Sequence, residues 1–109
     1  MISASSMSVL LVDDQTSIRS LLRNSLVQLG FVHVAGVRNG VEALEHLKSN
    51  STHLIISDFN MPDMDGLELL KAVRASAHTA KTGFIMLTGQ ANKELVQQAI
   101  TAGVNNFLA

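Results

Sequence analysis

Three short apolar runs constrain this chain more than any other feature: residues 9–12 (VLLV), 54–56 (LII) and 84–87 (FIML). Each is continuous rather than alternating. An alternating run keeps one face wet, whereas a continuous run is buried on both faces, as strands inside a parallel sheet are. Two weaker runs, 32–35 (VHVA) and 106–109 (NFLA), are expected as the second and fifth strands.

Helical spacing fills the gaps between the runs. Ile18, Leu21, Leu22, Leu26 and Leu29 fall on one stripe, and Gly30 follows as a stop signal. Val41, Leu44 and Leu47 form a shorter stripe opened by Asn39-Gly40. Leu67, Leu70, Val73 and Arg74 follow the turn at 61–66 (MPDMDG), where Gly66 is expected to serve the backbone turn. Leu95, Val96, Ala99 and Ile100 make a fourth helix that stops near Gly103. Strand and helix alternate throughout, which predicts an α/β fold with helices on both faces of a parallel sheet.

A length of 109 residues predicts one domain, 1–109, and 47% hydrophobic content is enough to give it a core. No repeat, low-complexity tract or linker divides it. A doubly wound sheet wants a helix after its fifth strand, and the residues run out at Ala109. The chain therefore reads as truncated before a final helix. An apolar sheet face near strands one and five is expected to lie open and to offer a surface for oligomer contact.

Composition narrows the function. The net charge is −1 with no basic cluster, so neither direct nucleic-acid binding nor attachment to an anionic membrane is expected. No apolar run approaches the roughly 20 residues that cross a bilayer. Residues 1–8 (MISASSMS) lack the basic and apolar regions of a signal peptide. The absence of cysteine excludes disulfide and thiolate chemistry and fits a cytoplasmic protein. The four histidines have no metal-ligand spacing, and Met61 and Met64 read as gap fillers beside Pro62.

The acidic residues at strand ends carry the chemistry. The first strand ends in Asp13-Asp14, the third in Asp58 and the fourth in Thr88. In an open α/β sheet, sites form at the carboxyl ends of strands where the strand order reverses. If the order is 2-1-3-4-5, strands one and three are neighbours there, and three carboxylates meet beside one hydroxyl. An Asp-Asp pair ahead of a helix is, by itself, most often a cap. Three carboxylates at one edge raise one another's pKa or demand a cation. Oxygen donors favour a hard ion, so magnesium is the natural choice, held beside a carboxylate nucleophile for phosphoryl transfer.

The segments VLLVDD (9–14), IISDFNMPDMDGLELL (55–70), Leu87-Thr88 and Ala102-Gly103 together resemble the receiver domains of two-component response regulators. Single-domain chemotaxis members are the nearest in pattern. The likeness spans nearly the whole chain, and its middle segment is the most specific. It implies a flavodoxin-like sheet in the order 2-1-3-4-5, which the residues alone do not derive. It implies that a histidine kinase phosphorylates Asp58 in a magnesium-dependent reaction, and that partner binding then switches, with motility as one possible output.

Carried over by position, Asp14 resembles a direct metal ligand and Asp13 a ligand acting partly through water. Asn60 resembles the residue whose backbone carbonyl completes the metal sphere. Thr88 resembles the hydroxyl that closes on the phosphoryl group, and Phe107 the switch aromatic. Asn60 and Gln90 occupy positions that tune dephosphorylation. Lys93 and Phe107 fall where the family meets downstream partners. Such a domain promotes only its own phosphorylation and dephosphorylation and is not a conventional enzyme.

Two features depart from the pattern. Phe107 stands where chemotaxis members have Tyr, which removes a phenolic hydrogen bond. The Lys that follows the fifth strand in the family has no counterpart, because Ala109 is the last residue. Two other readings stay open: the receiver of a larger transcriptional or relay regulator, and a magnesium-dependent phosphatase with an aspartate nucleophile.

Overall fold

A computed structural model describes residues 3–89 and 92–108. Five parallel strands form one sheet in the order β2-β1-β3-β4-β5, as the resemblance implied. They are β1 (Ser8–Val12), β2 (His33–Val37), β3 (Leu54–Asp58), β4 (Gly83–Leu87) and β5 (Asn106–Leu108). Four helices connect them: α1 (Thr16–Gln28), α2 (Gly40–Ser49), α3 (Gly66–Ala75) and α4 (Lys93–Ala102). The second strand begins one residue later than its apolar run and continues to Val37. Pairing with β1 decides this, because the ladder runs in register from Ser8–His33 to Val12–Val37.

Side chains start three of the helices. Asn39 and Asn92 accept hydrogen bonds from the Glu42 and Leu95 N–H groups, each at 2.8 Å. Asp65 and Glu68 form a reciprocal capping box at α3. Gly103, at φ 95°, ends α4 in the left-handed conformation.

The core lies between the sheet and α2–α3. Leu10, Val12, Ile55, Phe84 and Met86 project from the strands onto Ala43, Leu47, Leu69, Leu70 and Val73. Met61 and Met64 pack against this cluster, as gap fillers do. Arg74, expected on the apolar stripe of α3, instead clasps the α4–β5 turn. Its Nε donates to the Gly103 carbonyl at 3.0 Å and its Nη2 to Asn105 Oδ1 at 2.9 Å. The same Asn105 oxygen accepts the Phe84 N–H at 2.8 Å, so one side chain links α3, β4 and β5.

The opposite face is thinner. Helix α1 packs on β1 and β2, with only Ile18, Leu22 and Leu26 of its stripe half-buried. Leu21 and Leu29, expected on that buried stripe, are 62% and 71% exposed. A single helix resting near the edge of a sheet covers less than the width of its apolar stripe. Val41 of α2 and Ile100 of α4, expected on apolar stripes, are exposed as well.

The location of the open sheet face also differs from expectation. Val9 and Leu11 of β1 are buried, because α1 lies over that strand. Exposure falls on β3, β4 and β5, where Leu54, Ile56, Ile85 and Leu87 are half-buried and Leu108 is exposed. No helix among the described residues is long and apolar enough to cross a membrane.

Candidate functional site

Strands β1 and β3 pair in parallel with Val12 beside Ser57, so their carboxyl ends lie side by side. That register brings Asp13 and Asp14 up to Asp58. One carboxylate oxygen from each of the three lies within 4.8 Å of the others. Asp13 is buried, Asp58 is half-buried and Asp14 is exposed, so the group grades from core to solvent.

Local hydrogen bonds hold Asp13 and the end of β3 in place. The Gln15 N–H donates to Asp13 Oδ1 at 2.8 Å, folding the chain back over the strand end. The Asp13 N–H donates to the Val37 carbonyl at 3.1 Å, anchoring it to β2. Arg19 Nη1 donates to the Asp13 carbonyl at 2.6 Å, fixing the start of α1 against β1. On β3, buried Ser57 donates its hydroxyl to the Asp58 carbonyl at 2.9 Å. The Phe59 N–H donates to Leu87 O at 2.9 Å, tying the segment after Asp58 to β4.

The electrostatics follow from the convergence. Burial pushes the Asp58 carboxyl above its ordinary range, and the Asp13 and Asp14 charges push it further, against backbone N–H groups at Asn60 and Phe59 that pull it down. Burial likewise raises Asp13, with Asp14 adding to the rise, while the Gln15 N–H and the Arg19 charge offset part of it. Both acids therefore sit at a site where negative charge is poorly tolerated without a cation.

An open cleft of about 360 Å³ reaches this group, lined by Asp13, Asp58, Thr88, Gly89, Leu87 and Leu108 among others. Thr88 is buried at the end of β4, and its N–H donates to Leu108 O at 3.0 Å. Phe107 pairs with Met86 in the β4–β5 ladder, so Thr88, two residues beyond Met86, lies on the Phe107 face. Phe107 is half-buried against the core. Asn60 is exposed two residues past Asp58, and Lys93 is exposed at the start of α4. Gln90 lies outside the described residues.

Three supporting residues carried no signal that spacing could reveal. Ser57 and Arg19 act through backbone carbonyls. Gly66, expected to serve the turn, has a steric role in the structure. A Cβ there would lie 2.6 Å from the Asp58 carbonyl oxygen and 2.6 Å from Met86 Sδ. Its N–H also donates to Phe59 O at 2.8 Å, drawing α3 onto the carboxyl end of β3. Gly66→Ala is expected to destabilise the fold by about 1–3 kcal/mol, since a methyl group there must displace backbone. Urea denaturation checks this, and an unchanged midpoint would contradict the close approach.

The response regulator receiver domain model matches residues 9–109, and this chain belongs to that family. It is 45% identical over 106 residues to a probable chemotaxis protein CheY of Rhizobium etli, covering 97% of this chain and 82% of that one. It is 41% identical over 103 residues to chemotaxis protein CheY1 of Helicobacter pylori, covering 94% and 83%. The solved structure of Vibrio cholerae chemotaxis protein CheY4 superposes with a TM-score of 0.88 at 36% identity, covering 94% of this chain and 85% of that one. The receiver fold and its family are thereby shown.

Proposed function

We propose that Asp58 accepts a phosphoryl group from the phosphohistidine of a histidine kinase, and that the modified domain changes its affinity for a downstream target. One observation carries this reading: carboxylates from two strand tips converge with Asp58 facing an open cleft. The names of the chemotaxis relatives favour chemotaxis as the output. The proposed setting is the cytoplasm.

The residues fit a hard divalent cation. The donors are all oxygen, they cluster within 4.8 Å, and two of them are raised by burial and mutual repulsion that a cation would relieve. Asp13, Asp14, Asp58 and the Asn60 carbonyl would hold magnesium. When bound, it supplies positive charge that neutralises the carboxylates and the phosphoryl oxygens.

The chain's own groups do the rest. A carboxylate oxygen of Asp58 attacks phosphorus in line with the donor nitrogen. The P–O bond forms as the P–N bond breaks, and the imidazole nitrogen keeps the bonding pair. Water later hydrolyses the acyl phosphate, with Asn60 and Gln90 placed to tune that rate. Thr88 closes on the phosphoryl oxygens, and Phe107, on the same face of the sheet, moves into the space vacated. The result is a population shift between two packings, biased by local charge. These two reactions on itself are the only chemistry the domain promotes.

Incubation with magnesium and acetyl phosphate, followed by mass spectrometry, tests the assignment. Wild type is expected to gain one phosphate and Asp58→Asn none. Equal gain in both would place the acceptor elsewhere.

A further inference from the structure

A second groove lies away from the acidic cleft. It runs between α3 and α4, encloses about 680 Å³, and is lined by Lys71 of α3 and by Lys93, Gln97, Gln98, Thr101 and Ala102 of α4. Most of these residues are polar by name, yet the surface they present to the groove is almost wholly apolar. Long side chains produce this by laying methylene stems along the trough while their polar tips reach past the rim.

The charge at the rim is unbalanced. The ion pairs among the described residues join Arg38 to Glu42 and Lys48 to Glu45. Neither Lys71 nor Lys93 has a hydrogen bond or ion pair among them. Glu94 is the single acid in the lining. An apolar floor beneath two unpaired ammonium groups is complementary to a segment with apolar side chains on one face and carboxylates beside them. A trough beside α4, with Lys71 of α3 on its far wall, suits the helix-in-groove mode of recognition. The trough holds no aromatic side chain on which a nucleobase could stack.

From this complementarity we propose that the α3–α4 groove docks an acidic amphipathic peptide segment of a partner protein. The surface lies on the α3 side of α4 and does not include Phe107 or β5. It does not depend on Asp58 being the phosphoacceptor.

The test is a selection from a random peptide library, with peptides of about four helical turns, against the immobilised full chain. Enriched peptides are expected to combine apolar residues at helical spacing with Asp or Glu. Lys71→Glu/Lys93→Glu is expected to weaken their binding about tenfold or more, since reversal sets like charges face to face. Glu94→Gln is expected to tighten it, and Lys71→Arg/Lys93→Arg to retain it. Amide resonances of Lys71, Gln97, Thr101 and Ala102 should shift on titration with a selected peptide. Should the reversal variant fail to fold, Lys71→Gln/Lys93→Gln replaces it. The proposal is overturned if no peptide is enriched, if the enriched peptides ignore these charges, or if the shifts fall only on α1 or β5.

Discussion

Asp13→Asn is expected to raise the melting temperature of the metal-free chain at pH 7 and to abolish its response to magnesium. The cause is the crowding of three carboxylates. At 4.8 Å, two unit charges repel by roughly 1 kcal/mol if fully screened by water, and by roughly 3.5 kcal/mol at an effective dielectric of about 20. Asn removes one charge and keeps the oxygen that accepts the Gln15 N–H. The Arg19 contact survives too, because it is made to the backbone carbonyl. Relief of even about 1 kcal/mol corresponds to about 4–8 °C in a domain this small.

The pH dependence has a definite sign. The Asp13 and Asp58 carboxyls are raised above their ordinary 3.8 in the folded state. Between that value and the raised one, the folded chain holds protons that the unfolded chain has released. Stability of the metal-free wild type therefore falls as pH rises through this window. Asp13→Asn flattens the slope. Magnesium acts in the opposite direction at neutral pH by stabilising wild type, by about 1.4 kcal/mol for each tenfold excess over its dissociation constant. Thermal melts from pH 3 to 8 (roughly the span over which carboxylates and histidines titrate), with and without magnesium, read both effects. A variant that melts below wild type without metal would contradict the repulsion.

Phe84→Ala is expected to cost about 3–5 kcal/mol, the largest loss from any single truncation in this chain. Phe84, the second residue of β4, is fully buried and heads the large side chains of the core. Its N–H and carbonyl both bond to Asn105, which Arg74 in turn holds. The cavity therefore opens among elements that are already pinned and collapse poorly around it. Against a total stability of about 5–15 kcal/mol, the variant is left close to unfolding. Leu21→Ala provides the contrast. That side chain is 62% exposed, so its removal should change stability by about 0.5 kcal/mol or less. Urea midpoints with unchanged slope measure both, and comparable losses would mean that α1 buries Leu21 in solution.

Much of the architecture was legible because a strand buried on both faces must be apolar without interruption. The runs at 9–12, 54–56 and 84–87 each lie within an observed strand. The opening of α2 at Asn39 is local chemistry, readable within four residues. Helix α1 was legible as a helix but not in its packing. Its apolar stripe predicts a buried face, whereas the width of that face depends on how much sheet lies beneath it. Gly66 shows the same limit at the site, since the atoms that exclude a side chain there come from β3 and β4.

Sequence alone settled where β1, β3 and β4 run and that three acids stand at strand tips, because both follow from short-range pattern and from where the apolar runs end. Only the folded structure decided the rest: the register that brings Asp13, Asp14 and Asp58 within 4.8 Å, the burial that raises two of them, and the trough between Lys71 and Lys93. Distance, burial and unpaired charge belong to pairs of residues far apart in the chain. They acquire values when the β1–β3 ladder and the α3–α4 contact set those pairs side by side.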